Sequence, residues 1–413
     1  MSREQIHFLL LNIGHFLDHL FMLVFATVAA LTLSREWGLG YGDLIKYATP
    51  GFFAFGLFAL PAGWLADRWN RDVMMCVFFA GIGTAAILTG FSQSPLQVGI
   101  GLFAIGIFAA IYHPVGLAIV TAKWKNTGMR IAVNGVWGNL GVASAALLTG
   151  YLIDNGGWRT AFILPGAISI GTAIAYGVLR RHALVGLGTL KTKGADADRA
   201  PLDKGLKALL IRVAAIVFLT AAVSSIIFQS TTFALPKIFD ERLKGIAGSL
   251  VEWLKIVGFP GKANTATTIG AFAFVVFTVA SFAQLVVGSA LDRFGPRRVF
   301  IVVATIQLVF FMAMPGLSDG VALAVALGFM LGAFGQIPIN DFMIGKMAVG
   351  EFRARAYGLR YVVSFTALAA TLPLIALVYE NWGFDRLFQI LAGAALVLLL
   401  AASILPRKLP TPQ

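Results

Sequence analysis

The chain has 413 residues, of which 58% are hydrophobic and 12% charged, and its 32 Lys and Arg outnumber 19 Asp and Glu for a formal net charge of +13. Mean hydropathy is +0.84, and soluble domains carry about twice that charged fraction, so composition excludes a soluble globular protein and leaves a polytopic membrane protein. The single cysteine, Cys76, excludes a disulfide framework. No basic region outside the apolar segments is large enough to bind nucleic acid, so the positive charge is assigned to topology and anionic lipid headgroups.

A membrane span needs about 20 apolar residues, because a helix rises 1.5 Å per residue through roughly 30 Å of hydrocarbon. Apolar runs between charged or Gly/Pro-marked breaks predict twelve spans, at 6–33, 43–66, 73–91, 96–121, 129–153, 158–179, 206–235, 267–291, 298–315, 320–345, 355–379 and 385–405. Alternating ten-residue segments are missing, so the fold class is an all-α bundle rather than a barrel. The first run imitates a signal peptide in Arg3 and "ATVAA". It is too long for one, however, and His15 and Asp18 interrupt it, so it is kept as the first span. With the N-terminus inside, 23 of the 32 Lys and Arg fall on one side, which predicts that both termini are cytoplasmic.

The first span, "IHFLLLNIGHFLDHLFMLVFATVAALTL", carries Asn12, His15, Asp18 and His19 within two turns. At 100° per residue, Asn12, His15 and His19 lie within about 60° of one another, with Asp18 at the edge of the stripe. His15 sits about 14 Å into the span, close to the midplane. An ionised carboxylate there costs about 2.5–3.5 kcal/mol, so the stripe is expected to face a central cavity and to bind substrate or carry a coupling proton. The competing reading is an interhelical hydrogen-bond cluster without a transport role. After the second span comes "GWLADRWNRDVM", with Gly63, Asp67, Arg68 and Arg71. At the other end of that span, Asp43 and Lys46 are spaced to form an interfacial pair. Span four holds Tyr112, His113 and Pro114; Pro114 frees a backbone carbonyl, as happens where a span lines a cavity. Span five adds Asn134 and Asn139.

The basic, Gly/Pro-marked stretch 180–205 reads as a cytoplasmic linker between an N-terminal bundle, 1–179, and a C-terminal bundle, 206–413. Gln229 and Ser230 are the polar candidates of span seven. Beyond it, an outer amphipathic segment at about 237–262 places Leu243, Ile246, Leu250, Trp253, Leu254 and Val257 at helical spacing. Span ten supplies Gln336, Pro338, Asn340 and Asp341. Arg360 enters span eleven and is expected either to pair with Asp341 or to dock an anion with its planar fork of donors.

"GSALDRFGPRRV" repeats the earlier turn: Gly288, Asp292 and Arg293 follow Gly63, Asp67 and Arg68 by 225 residues, and Arg355 follows Arg130 by the same interval. Two pseudo-symmetric six-helix halves are implied, with a site between them near the midplane. The doubled Gly-x-x-x-Asp-Arg motif on twelve spans resembles the major facilitator superfamily across the whole chain. That resemblance implies a conformational gate at Gly63, Asp67, Arg68 and Arg71 and at Gly288, Asp292, Arg293 and Arg298. The competing reading is that these charges only set topology. "GHFLDHLF", "IYHPVGLA" and "NGVWGNLG" resemble the fosmidomycin-resistance branch, which implies proton-driven efflux of small, often anionic compounds.

The expectation is therefore an alternating-access secondary transporter, proton-coupled, acting as a monomer in a bacterial inner membrane on a small polar or anionic compound, without a cofactor. No Walker motif is present to couple transport to ATP. The substrate and proton residues are expected among Asn12, His15, Asp18, His19, His113, Asn134, Gln336, Asn340, Asp341 and Arg360. A rival reading makes His15, Asp18, His19 and His113 a divalent-metal set and the cargo a metal or its chelate. A second rival, a membrane enzyme or sensor, finds a nucleophile and base only in the same His/Asp groups.

Overall fold

Ser2 starts the first helix with a reciprocal cap: its Oγ accepts from the Gln5 amide at 3.2 Å, while Gln5 Oε1 accepts from the Ser2 amide at 2.8 Å. The computed structural model describes residues 1–123, 127–185, 204–258, 264–347 and 351–406. The side chains of 67, 122, 123, 127, 128, 182–185, 204–208, 345–347, 351–361 and 365 lie outside the description. Described residues outside the turns are helical. Span one runs Arg3–Glu36, and spans two to six are Tyr41–Ala66, Arg71–Gly90, Pro95–Thr121, Met129–Gly156 and Thr160–Arg181. Spans seven to ten are Leu209–Arg242, Thr265–Phe294, Pro296–Ala313 and Asp319–Ile344. Val362–Ser403 is long enough for two more, and Gly383 at φ 72°, a left-handed conformation suited to glycine, separates the eleventh from the twelfth.

Two spans break where proline sits. Span four is helical over Pro95–Ala109 and again over Tyr112–Lys123, because Pro114 has no N–H for the carbonyl one turn back. Span ten breaks at Gln336, between Asp319–Gly335 and Ile337–Met347, next to Pro338. Ile111 and Gln336, the residues at the two breaks, are 225 apart, the interval of the repeated motif. Helix six continues to Val185 and helix seven begins at Lys204, so the expected linker is shorter than 180–205; its remainder lies outside the described residues.

The chain divides into two compact units. The first comprises Met1–Leu190, Phe233–Thr278 and Leu372–Glu380; the second comprises Lys191–Thr232, Val279–Thr371 and Asn381–Gln413. In the first unit, span three packs on six, one on five, and two on four. Away from the 67–72 turn, polar contacts tie this unit together. Lys46 Nζ donates to Asp43 Oδ1 at 3.1 Å and to Glu380 Oε1 at 3.2 Å, and Tyr379 donates to Glu241 at 2.5 Å. Asp154 Oδ2 accepts from the Asn264 and Thr267 amides and from the Thr267 hydroxyl, capping the start of span eight. The expected amphipathic segment opens inside span seven, and its own helix is Lys244–Ile256. Leu243 and Ala247 are buried there, whereas Trp253, Ile256 and Val257 face outward. In the second unit, spans nine and ten pack as an adjacent pair.

Candidate functional site

His15 and His19 are one turn apart on span one and share a face. The kink of span four brings His113 to the same place. His15 Nδ1 lies 2.7 Å from the Asn134 carbonyl oxygen of span five. A carbonyl only accepts, so Nδ1 bears the proton and Nε2 of the neutral ring turns a lone pair the other way. His19 Nε2 is 3.2 Å from that Nε2. The His113 ring stands edge-on to both, its centroid 5.2 Å from His15 and 5.5 Å from His19. Its Nε2 lies 3.3 Å from Asp18 Oδ2. Tyr112 stacks on the far face of His15 at 4.9 Å. Gly138 makes room for the His15 ring, since a Cβ there would stand 2.6 Å from Nε2.

Burial divides this cluster. Asp18 is 0% exposed, and its carboxylate accepts no well-aligned hydrogen bond among the described residues; His113 Nε2 stands 3.3 Å from its Oδ2. An ionised carboxylate so placed is costly unless a proton or a cation offsets it. His113 is 21% exposed and His19 half-buried, so these two form the accessible side. Asn12 and Asn134 are sealed. Asn134 Nδ2 donates to Asn12 Oδ1 at 2.9 Å and to the Tyr112 hydroxyl at 2.8 Å, and Tyr112 donates to the Leu11 carbonyl at 2.7 Å. Asn12 and Asn134 therefore clamp spans one, four and five behind the imidazoles, which fixes where those rings stand.

The second unit holds a different network. Gln307 Nε2 donates to the Gly332 carbonyl and to Gln336 Oε1, both at 2.9 Å; Gln336 Nε2 donates to the Ser224 carbonyl at 3.1 Å. Thr220 donates to Asn340 Oδ1 at 3.0 Å. All of these side chains are buried. Gln229 and Ser230 are buried as well, on span seven, and Asp341 is half-buried. The Arg360 side chain lies outside the described residues, as does that of Arg355.

Of the gate motif, Gly63 packs against Pro114 at the kink of span four, where a Cβ would meet Pro114 Cβ at 3.3 Å, whereas Gly288 faces open space. Arg68 stacks over Trp64 at 4.2 Å, and Arg293 lies over Phe294 at 5.2 Å. Arg71 is half-buried, and Asp292 and Arg298 are exposed; the Asp67 side chain is outside the described residues.

Sequence reasoning passed over two groups. Thr220, Ser224 and Gln307 complete the second network, and Gln307 in "ATIQLVFF" carried a signal as the lone amide in an apolar run. Asp72 receives both Arg180 Nε at 2.9 Å and Arg180 Nη2 at 2.7 Å, together with the Tyr176 hydroxyl at 2.7 Å. His7 joins at 2.9 Å from Tyr176. This ion cluster binds spans one, three and six near the motif turn.

The family model described as Major Facilitator Superfamily matches residues 11–261 and 256–413. The probable sulfoacetate transporter SauU of Cupriavidus necator is 28% identical over 36% of this chain; the matched stretch spans about a third, 35%, of that relative's length. The multidrug resistance protein MdtG of Rahnella is 23% identical over 83% of this chain and 79% of its own. Among solved structures, a bacterial homolog of the human lysosomal transporter Spinster, in its inward-facing and occupied conformation, superposes with a TM-score of 0.73. That match has 15% identity and covers 98% of this chain and 96% of the other.

Proposed function

We infer the transport chemistry from the premise that the chain belongs to the Major Facilitator Superfamily. It is a secondary transporter, a multi-pass protein of the bacterial inner membrane, and not an enzyme. Our reading is that it moves a small polar or anionic organic compound by alternating access, coupled to protons, with export the favoured direction from its resemblance to the fosmidomycin-resistance branch. In this reading it works as a monomer with both termini cytoplasmic, and its halves, 1–179 and 206–413, rock about a midplane site. Anionic cargo is supported by the SauU relative, a probable sulfoacetate transporter.

The observation that carries the coupling is Asp18. A carboxylate with no exposed surface, no well-aligned hydrogen bond and an imidazole 3.3 Å away has two stable conditions, protonated or facing a cationic His113. Passing between them moves one proton, and His113 and His19, the accessible members, connect that exchange to solvent. His15 is held by Asn134 and serves as the fixed wall. Gln336, Asn340, Asp341 and Arg360 of the other half are assigned to substrate, with Arg360 as the anion's docking group. Gly63 to Arg71 and Gly288 to Arg298 act as the gate, and the Pro114 contact of Gly63 couples gate to site. On the opposite side, the Lys46–Glu380 and Asp154–Thr267 contacts are those that must part when that end opens.

The test is transport in reconstituted vesicles with a panel of small sulfonates and carboxylates under an imposed pH gradient. Asp18→Asn is expected to abolish gradient-driven accumulation while leaving gradient-independent exchange. Accumulation by Asp18→Asn at the native rate would remove Asp18 from the coupling.

A further inference from the structure

We propose that His15, His19, His113 and Asp18 form a binding site for a divalent d-block cation of the zinc type, seated at the place assigned above to proton coupling. The inference rests on that reading only for its consequence, block of transport; the binding itself stands on geometry. The three imidazoles each offer a nitrogen within 4.8 Å of the other two. In a tetrahedral zinc site with metal–nitrogen bonds of 2.0–2.1 Å, neighbouring donor atoms are about 3.3 Å apart. Two edges of such a polyhedron already exist: His15 Nε2 to His19 Nε2 at 3.2 Å and His113 Nε2 to Asp18 Oδ2 at 3.3 Å. The Asp18 carboxylate lies beside His113 and outside the mutual reach of the three imidazole nitrogens, so closing the rest needs side-chain movement, with His19 and His113 the two less buried imidazoles.

Three features separate this cluster from a chance meeting of histidines. His15 spends its Nδ1 proton on the Asn134 carbonyl, which fixes the tautomer whose Nε2 lone pair points at the other rings; metal-binding imidazoles are held in the same way. Asp18 is fully buried with both oxygens lacking a hydrogen bond among the described residues, so a negative ligand is already dehydrated and waiting for a cation. Gly138 keeps the space beside His15 Nε2 clear. The donor set, three neutral imidazoles and one carboxylate, suits zinc, nickel or cobalt and not magnesium or calcium, which take oxygen. A bound ion occupies the atoms on which the coupling proton would travel, so the expected consequence is arrest of transport.

The experiment uses the full chain, purified with any polyhistidine tag removed, and titrated with Zn²⁺ by calorimetry and with Co²⁺ by visible absorption. Expected are one saturable ion per chain and the intense absorption of four-coordinate Co²⁺. Affinity should fall by more than about 100-fold in His19→Gln and in His113→Gln. His7→Gln, which alters a histidine outside the cluster, should bind as the native chain does. Thermal melting without metal identifies any variant that fails to fold; His19, half-buried, is the substitution best tolerated. No saturable binding by the native chain, or equal binding by folded His19→Gln, overturns the site. Gradient-driven transport in vesicles separates the two readings. Transport that depends on Asp18 in a chain that binds no zinc overturns the metal site alone. Zinc binding in a chain whose transport ignores Asp18 overturns the coupling alone.

Discussion

In the first unit three imidazoles, of His15, His19 and His113, cluster beside Asp18, whose carboxylate has no hydrogen bond among the described residues. In the second unit, the pseudo-equivalent kink of span ten carries Gln336 and Asn340 into a network of amides and hydroxyls with no charge in it. The backbone device is the same in both, a proline-broken helix at one sequence interval, but the chemistry placed on it differs. The first network centres on a buried carboxylate; the second pairs its amide donors and leaves Gln307 Oε1 without a partner among the described residues. A repeat thus preserves the scaffold while ionisable groups concentrate at one kink and uncharged amides at the other. The gate motif repeats the lesson: a Cβ on Gly63 would meet the kink of span four, whereas one on Gly288 would meet no atom within 4 Å among the described residues.

The sharpest way to break this contrast is a matched pair of substitutions, one acting at each kink. His113→Gln removes the imidazole beside a buried carboxylate, so gradient-driven transport should fall by at least about 100-fold, equivalent to roughly 2.7 kcal/mol. Thr220→Val removes the uncharged hydrogen bond to Asn340 at the other kink and should stay within about 3-fold, because interhelical hydrogen bonds in membranes average about 0.6 kcal/mol. Rates for both in the same vesicles decide the matter. Equal losses would mean that the two networks share one role.

A second test acts on position alone. Gly138→Ala adds one methyl group 2.6 Å from His15 Nε2 and changes no charge. Alanine is favoured over glycine in a helix by about 1 kcal/mol, but a methyl group against a buried, pinned ring costs about 1–3 kcal/mol, so the melting temperature should hold or fall. Transport should drop by about 10-fold or more, since a displacement near 1 Å at a reacting group is enough to cost that much. Unchanged transport would show that the placement of His15 is unimportant.

The third test concerns the uncharged network. Gln307→Leu leaves Gln336 Oε1 without its donor, while the Gly332 carbonyl still accepts from the Gln336 amide, and should lower stability by about 1 kcal/mol. The pH dependence of transport should remain that of the native chain. A shifted profile would place the second unit in the proton path.

The spans, the repeated turn and the polar stripe of span one could all be read from the chain, because each is periodic or local: apolar run length, a fixed interval, and 100° steps around a helix. Convergence of His113 on His15 and His19 could be suspected from Pro114, but not the order of contact, which depends on the kink and on the clamp made by Asn134. Asn12 and Asn134 looked like cavity residues in sequence and are sealed in structure, since nothing local distinguishes an amide that meets water from one that meets another amide. Asp72, Arg180, Tyr176 and His7 were illegible for the same reason. Their partners are 169 residues apart for His7 and Tyr176 and 108 for Asp72 and Arg180, and only helix packing brings them together.

The smallest expected effect lies at the end of the first unit away from the motif turn. Lys46 bridges Asp43 and Glu380 with its side chain 46% exposed, so solvent screens both partners. Exposed pairs of this kind contribute about 0–1 kcal/mol, and Lys46→Ala should change the melting temperature hardly at all. Its kinetic effect should be larger than its effect on stability, because Glu380 also fills the space over Gly42 while Tyr379 next to it holds Glu241. Releasing that corner lowers the barrier to parting this end without altering the buried imidazoles. Lys46→Ala should therefore speed exchange by about 2- to 5-fold, within the roughly 1 kcal/mol that such a pair supplies, and leave the response to pH intact. A lost pH response in this variant would mean that the outer corner and the Asp18 cluster act as one device, and the division between a charged coupling core and an uncharged frame would have to be redrawn to include it.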